Sequence, residues 1–433
     1  MGKPCGRRGL VKSVMARATR ENFEFKEIGI LTNLLPQPDA SRRRFLAIGA
    51  AASLMPGLDQ ADAADKSPVK GKDSRLVILK SFPAVLETPT QLLGSRITPL
   101  ERLFVRNNQQ PKDAATLGPS AARKWQVGFA GMVNRAATID LKELRAMEQV
   151  DIEMVLQCSG NGRALFSQSA KTKGTQWVRG GMGNVRFSGV PLRTILKAKG
   201  IDVSPQAKYV TAEGYDTPLP KKQDFEHSLP AADVLNHSLL ALKINGQDLP
   251  AIHGGPVRLI TPGVYGTMQM KWLSRLRFEA GETSNYNQIP RYRVPRRPIK
   301  PGEKISYTFA NSRFNWKMKV KSVVLSHSPK EVVGRRRQTI TGVAFNDGSA
   351  RIDSVLVSLD QGQSWQRAQL DRPRSLFAWT RFRIATVLKR GRTSIWTRAV
   401  DSLGRSQPLD GSIHWNPSGY EWNGVEKIDL VVN

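Results

Sequence analysis

Four prolines fall within residues 288–301, which read Gln288-Ile289-Pro290-Arg291-Tyr292-Arg293-Val294-Pro295-Arg296-Arg297-Pro298-Ile299-Lys300-Pro301. Each proline lacks a backbone donor and fixes φ near about −65°, so neither a helix nor a central strand can run through the stretch. The chain has to cross it as an extended connector, and the sequence on each side has to close its own core. Upstream the pattern is mixed. Residues 139–144 begin a short helix with Asp140 as its cap. Residues 151–156 alternate as a strand, residues 191–199 read as a second short helix and residues 257–261 as a buried strand. Downstream, residues 320–326, 338–345, 354–358, 365–370 and 393–400 form short β-rich runs separated by turns, with Asp360-Gln361-Gly362 as a hairpin turn. The fold class expected is α+β, a mixed α/β domain followed by a small β-sandwich.

The N-terminal region has the parts of an export signal. Ser41-Arg42-Arg43-Arg44-Phe45-Leu46 is followed by an apolar run over residues 47–55, then Pro56-Gly57 and the small-residue site Ala61-Asp62-Ala63. Paired arginines before Phe-Leu make it a twin-arginine address, not an anchor, and the apolar run is too short to span a bilayer. Three segments are therefore expected: a cleaved signal over 1–63, a first domain over 64–295 and a second over 296–433. The expected location is the periplasm, reached by export in the folded state. The formal net charge is +30, which points to an anionic substrate, an acidic partner surface, or both. Nucleic acid is disfavoured by export and by basic residues scattered through strands and turns.

Two cysteines occur, and Cys5 lies ahead of the cleavage site. Cys158 is then a lone thiol that cannot be half of an internal disulfide. Its setting, Gln157-Cys158-Ser159-Gly160-Asn161-Gly162-Arg163, puts glycines and an arginine beside it, which favours a reactive thiol and a role as a metal ligand. A buried inert thiol is the bland alternative. The five histidines, His227, His237, His253, His327 and His414, show no metal-ligand spacing. A zinc or iron–sulfur site built from protein ligands alone is not expected. A metal held by one cysteine has to draw its other ligands from a cofactor.

At these residues the chain resembles the sulfite oxidase family of molybdenum enzymes. Besides the cysteine loop, the resemblance rests on Phe104-Val105-Arg106-Asn107-Asn108, Lys173-Gly174-Thr175-Gln176-Trp177, Glu213-Gly214-Tyr215-Asp216, His253-Gly254-Gly255-Pro256-Val257-Arg258, Pro262-Gly263-Val264-Tyr265-Gly266 and Met270-Lys271-Trp272-Leu273, in that order. Ser358-Leu359-Asp360-Gln361-Gly362-Gln363-Ser364-Trp365 resembles the family's immunoglobulin-like dimerisation domain. The resemblance implies Mo-molybdopterin as cofactor with Cys158 as the protein ligand to the metal. It assigns Arg106 and Arg163 to an oxyanion pocket, with Trp177 walling it, Lys173 supporting its charge and Tyr292 as the active-site tyrosine. Asn107, Asn108, Asp216, His253, Arg258, Met270, Lys271 and Trp272 are assigned to the pterin and its phosphate.

Two positions depart from the family pattern. Asn108 stands where the family usually has histidine. Ser418, in Trp415-Asn416-Pro417-Ser418-Gly419, stands where it commonly has arginine. The activity implied is oxidation of sulfite to sulfate, with electrons passed to a separate cytochrome c, because no haem-attachment motif occurs in the chain. A sulfane or thiosulfate-derived dehydrogenase subunit, an S- or N-oxide reductase on the same fold, and a non-catalytic anion-binding module are the alternatives. A homodimer, or a heterodimer with a cytochrome subunit, is the expected assembly, with no membrane span.

Overall fold

Short helices, one of them with an acidic cap, and alternating strands build the upstream half. In the computed structural model the described residues are 69–94, 96–111, 124–217 and 223–433, so the expected signal over 1–63 lies outside them. Asp140 caps the helix Leu141–Ala146: its side chain accepts from the Glu143 amide while the Glu143 side chain accepts from the Asp140 amide. This reciprocal pair satisfies two donors that the first turn leaves free. The helix Leu192–Ala198 turns Leu192, Ile195 and Leu196 inward.

Two five-stranded arrangements carry this half. One sheet runs Glu226–Pro230, Tyr209–Gly214, Leu273–Glu279, Gln126–Gly131, Ala137–Asp140, and only the Leu273–Glu279 to Gln126–Gly131 pairing is parallel. The other runs Gln247–Asp248, Leu239–Ile244, Met182–Pro191, Val150–Gln157, with Arg258–Ile260 also paired to Leu239–Ile244. Val150–Gln157 and Met182–Pro191 pair antiparallel from Val150 opposite Gly189 to Gln157 opposite Met182. Cys158 therefore leaves the end of a strand whose register is fixed along its whole length.

The downstream half is a sandwich of a four-stranded sheet (Lys321–Val324, Arg337–Phe345, Thr380–Val387, Gln369–Leu370) and a five-stranded sheet (Val332–Val333, Glu426–Val432, Gly391–Asp401, Ile352–Ser358, Gln366–Arg367). Inward residues such as Val324, Ile340, Val355, Phe382, Ile395 and Ile428 form its core. Residues 365–370, expected as one strand, are two pieces on different sheets. The amide of Ala368 between them still bonds the Val355 carbonyl at 2.9 Å. Residues 288–292 form a turn and not the extended backbone expected: the Gln288 and Ile289 amides bond the Asn285 carbonyl at 2.8 and 2.9 Å, and the Arg291 amide bonds the Tyr286 carbonyl at 3.2 Å. The chain becomes extended at Arg293–Pro295, which pairs with Ser312–Phe314 in a short ladder. Pro295 can sit there because the ladder has only two strands, so its missing donor can face away.

The halves share a core of their own. Val155, Met182 and Tyr265 pack with Val323, Phe345 and Trp379, and the Val155 amide bonds the Phe377 carbonyl at 2.9 Å. Each large apolar side chain buried there stabilises the fold by roughly 2–3 kcal/mol.

Candidate active site

Strand Val150–Gln157 delivers Cys158 to a turn. The Cys158 amide donates to the Gly181 carbonyl at 2.8 Å, and its carbonyl accepts from the Asn161 amide at 2.9 Å. Gly162 has φ 98°, and a Cβ there would lie 2.5 Å from the Trp422 ring, so both backbone and space require glycine. Cys158 is a free thiol, 9% exposed, and it faces a cavity of about 840 Å³, the open solvent at its mouth included.

Arg163 follows. Its guanidinium sits where a Cβ on Gly160, Gly174 or Gly419 would come within 2.7, 2.9 or, at Cγ, 2.5 Å of its side chain. Glycines thus make the slot that holds it. Nε donates to the Ser418 carbonyl and one terminal nitrogen to the Thr175 carbonyl, both at 2.7 Å, and the guanidinium lies 5.1 Å over the Tyr420 ring. Arg106 donates to the Asn107 carbonyl and, at 3.4 Å, to Asn108 Oδ1. Among the described residues neither arginine has a carboxylate partner. Two buried or half-buried cations left unneutralised are a site prepared for an anion.

Other cations serve the same cavity. Arg258 is fully buried and donates only to carbonyls, those of His253 at 3.0 Å and Gln269 at 3.3 Å; burial pushes its pKa down to about 9. Lys271 donates to Asn107 Oδ1 at 2.6 Å and to the carbonyls of Ile252 and Arg106. Burial, with Arg258 and Arg106 nearby, holds its pKa well below the usual value. Lys72 donates to the Leu100 and Leu103 carbonyls, and its Nζ lies 2.7 Å from His253 Nε2. The pKa of His253 is depressed by burial and by Lys72. Asp216, the one acid among the described residues that line the cavity, is raised to about 7 by burial, opposed by Lys271, so near neutrality it can donate as a carboxylic acid.

All the expected site residues line this cavity except Lys173 and Trp177. Lys173 is exposed, its amide pinned by the Pro417 carbonyl at 2.8 Å, and its side chain stays in water. Trp177 is fully buried one layer behind the wall, edge-on to Phe104 at 5.8 Å; Phe104 forms the wall in its place. Met270 and Trp272 line it as expected, Trp272 anchored by Nε1 to the Ala251 carbonyl at 2.8 Å.

Trp272 and Tyr292 take left-handed backbone at φ 50° and 51°. Such geometry costs a non-glycine residue on the order of 1–3 kcal/mol and persists only where surroundings enforce it. Tyr292 is stacked on Tyr420, ring centres 5.4 Å apart and planes 20° from parallel. Sequence reasoning did not pick out Tyr420, although it lies two residues beyond Ser418. It also missed Lys72, whose separation of 181 residues from His253 leaves no local signal.

Residues 115–287 match the family model described as oxidoreductase molybdopterin binding domain. Residues 312–430 match the Mo-co oxidoreductase dimerisation domain. The chain is 31% identical over 379 residues to sulfite oxidase of Gallus gallus, covering 83% of this chain and 80% of that one. It is 29% identical over 388 residues to mitochondrial sulfite oxidase of Homo sapiens, covering 87% and 69%. Among solved structures, the sulfane dehydrogenase SoxCD from Paracoccus pantotrophus shares the fold at TM-score 0.69 and 24% identity, over 89% of this chain and 95% of that one.

The chain belongs to the sulfite oxidase family of molybdenum oxidoreductases. Its cofactor is Mo-molybdopterin. The cavity suits that group: a buried thiol, buried cations bonded only to neutral acceptors, and a carboxyl able to donate share one lining.

Proposed function

We propose that this protein oxidises sulfite to sulfate in the periplasm and passes the two electrons, one at a time, to a separate cytochrome c. The observation that carries the reading is the joint presence of Cys158, Arg106 and Arg163 on one cavity, with both guanidiniums free of carboxylates. In this reading Cys158 holds the metal. Arg258 and Lys271, with His253 and Lys72 behind them, hold the phosphate, while Asp216, Asn107, Met270 and Trp272 hold the pterin. When bound, the cofactor supplies the two-electron redox centre.

The chain's own residues do the rest. Arg106 and Arg163 bind the oxyanion, which a guanidinium does without risk of deprotonation at working pH. Arg163 is fixed by its slot and by two carbonyl bonds before substrate arrives, so little ordering remains when the anion binds. Burial raises the pKa of Tyr420, so its hydroxyl stays protonated and can donate to the anion. Tyr292, 5% exposed, and Tyr420 together shut the cavity against bulk water on their side. The net reaction takes sulfite and water to sulfate, two electrons and two protons.

Export rests on the twin-arginine run Arg42-Arg43 and its flanking elements. Cytochrome as acceptor rests on the resemblance and on the basic charge. A homodimer through the second domain is supported by the match to a dimerisation domain. A second reading, sulfane dehydrogenation, is favoured by one observation: Ser418 brings a carbonyl to Arg163 and adds no cation.

Steady-state assays separate these. Sulfite with ferricyanide should turn over at rates above those with a sulfane donor, and a sulfoxide with reduced viologen should give none. Preferred turnover of the sulfane or the sulfoxide contradicts the reading.

A further inference from the structure

Arg291 is a further cation beside this cavity that no acid offsets. It comes from the connector, and no ion pair to it occurs among the described residues. One terminal nitrogen lies 3.4 Å from Asn108 Oδ1. Arg106 approaches the same oxygen at the same distance, so two guanidiniums converge on one amide. The other terminal nitrogen of Arg291 lies 3.4 Å from Asn287 Oδ1, which also accepts from Asn108 Nδ2 at 3.5 Å. The Arg291 guanidinium covers the Tyr292 ring at 5.2 Å and the Tyr286 ring at 5.7 Å. Arg163, Arg291 and Arg106 all act electrostatically on the Tyr420 hydroxyl.

Like charges gathered this closely repel, and here only two amide oxygens, three tyrosines and backbone groups stand between them. That arrangement is costly without an anion and is relieved by one of high charge. Arg291 lies behind Asn108 and Tyr292, which line the cavity, so it acts through them.

We propose that Arg291 is a positioning residue that sets the charge preference of this pocket: it fixes Asn108 against Arg106 and adds a third positive charge, so that a doubly charged oxyanion is selected over a neutral S-oxide. This rests on reading the cavity as an oxyanion site.

The test uses the molybdenum-loaded protein and two variants matched in length but not in charge, Arg291→Lys and Arg291→Met. Sulfate affinity is read by calorimetry, and KM and kcat with sulfite are read separately. Arg291→Met should weaken sulfate binding and raise KM by about tenfold, the loss of one unoffset positive charge near the anion, with kcat within about twofold. Arg291→Lys should restore most of both. Equal sulfate affinity in the two variants, or a fall in kcat at unchanged KM, overturns the proposal. If the unaltered protein binds no sulfate and oxidises no sulfite, the oxyanion reading itself has failed, which is a different result. Should Arg291→Met fail to take up molybdenum, Arg291→Gln replaces it against the same Lys variant, with the same two readouts deciding.

Discussion

Arg163 owes its place to residues that contribute no functional group. Gly160, Gly174 and Gly419 leave the volume its guanidinium fills, and two carbonyls fix its direction. Replacing Gly160 by Ala sets a methyl 2.7 Å from that guanidinium. Overpacking of this kind costs about 1–3 kcal/mol, and here it displaces an anion-binding group. Gly160→Ala should raise KM for sulfite by roughly tenfold or more (about 1.4 kcal/mol per decade) while molybdenum content is unchanged; unaltered KM contradicts the slot. A second prediction at this scale concerns His227. It is fully buried edge-on to Tyr292 at 5.1 Å, with Nδ1 3.0 Å from Gln288 Oε1. Burial pushes its pKa down from 6.5 to about 4. Between those values the unfolded chain takes the proton and the folded chain does not. Stability therefore falls as pH drops through that window, by on the order of 3 kcal/mol at full extent. Urea unfolding at pH 7 and pH 4.5 should show a smaller pH loss in His227→Gln than in the unaltered chain. An equal loss would remove His227 from the account.

One loop closes the site. Residues 415–424 leave the second half and return to the cysteine turn: the Glu421 amide bonds the Ser159 carbonyl at 2.9 Å, and Trp422 packs edge-on to Phe166 at 4.8 Å. Glu421 is anchored in turn by Arg313 at 2.7 Å and Lys319 at 3.6 Å. Trp422→Ala removes the ring that fills the space left by Gly162, Gly411 and Gly424. It should cost about 3–5 kcal/mol and lower sulfite turnover through Tyr420 and Arg163. Denaturant midpoints that do not move would contradict this coupling.

The same loop shows the limit of what could be read beforehand. The Asp140 cap, the strand into Cys158 and the downstream strands were legible because caps and period-two alternation are local. The strands Thr380–Val387 and Glu426–Val432 were not. In Thr380–Val387 the apolar Ala385 and Val387 lie on the exposed face and blur the alternation; in Glu426–Val432 a charged residue, Glu426, occupies a buried position. Motif order carried twelve site residues to one cavity. Lys173 and Trp177 went astray because a motif fixes position along the chain and not the direction of a side chain. Tyr420 and Lys72 were missed because tertiary packing brings them in from distant segments.

The two halves share an apolar seam and act as one frame around the cavity, with the loop of one half completing the site of the other. The charge of the whole molecule, +30, acts at longer range. Steering of the proposed acceptor, an acidic cytochrome, should weaken as the Debye length shrinks from about 30 Å at ~0.01 M to about 8 Å at ~0.15 M salt. Cytochrome-linked turnover should fall several-fold across that range through the association step; a flat profile contradicts steering.

The central claim is that Cys158 holds a redox metal above which the arginines hold an oxyanion. Cys158→Ser, with molybdenum content, pterin content and sulfite turnover measured on the same sample, tests it most directly. The account predicts a folded protein that retains pterin and loses sulfite oxidation by at least about a hundredfold, the scale of a lost essential group. Sulfite oxidation at the unaltered rate would contradict it.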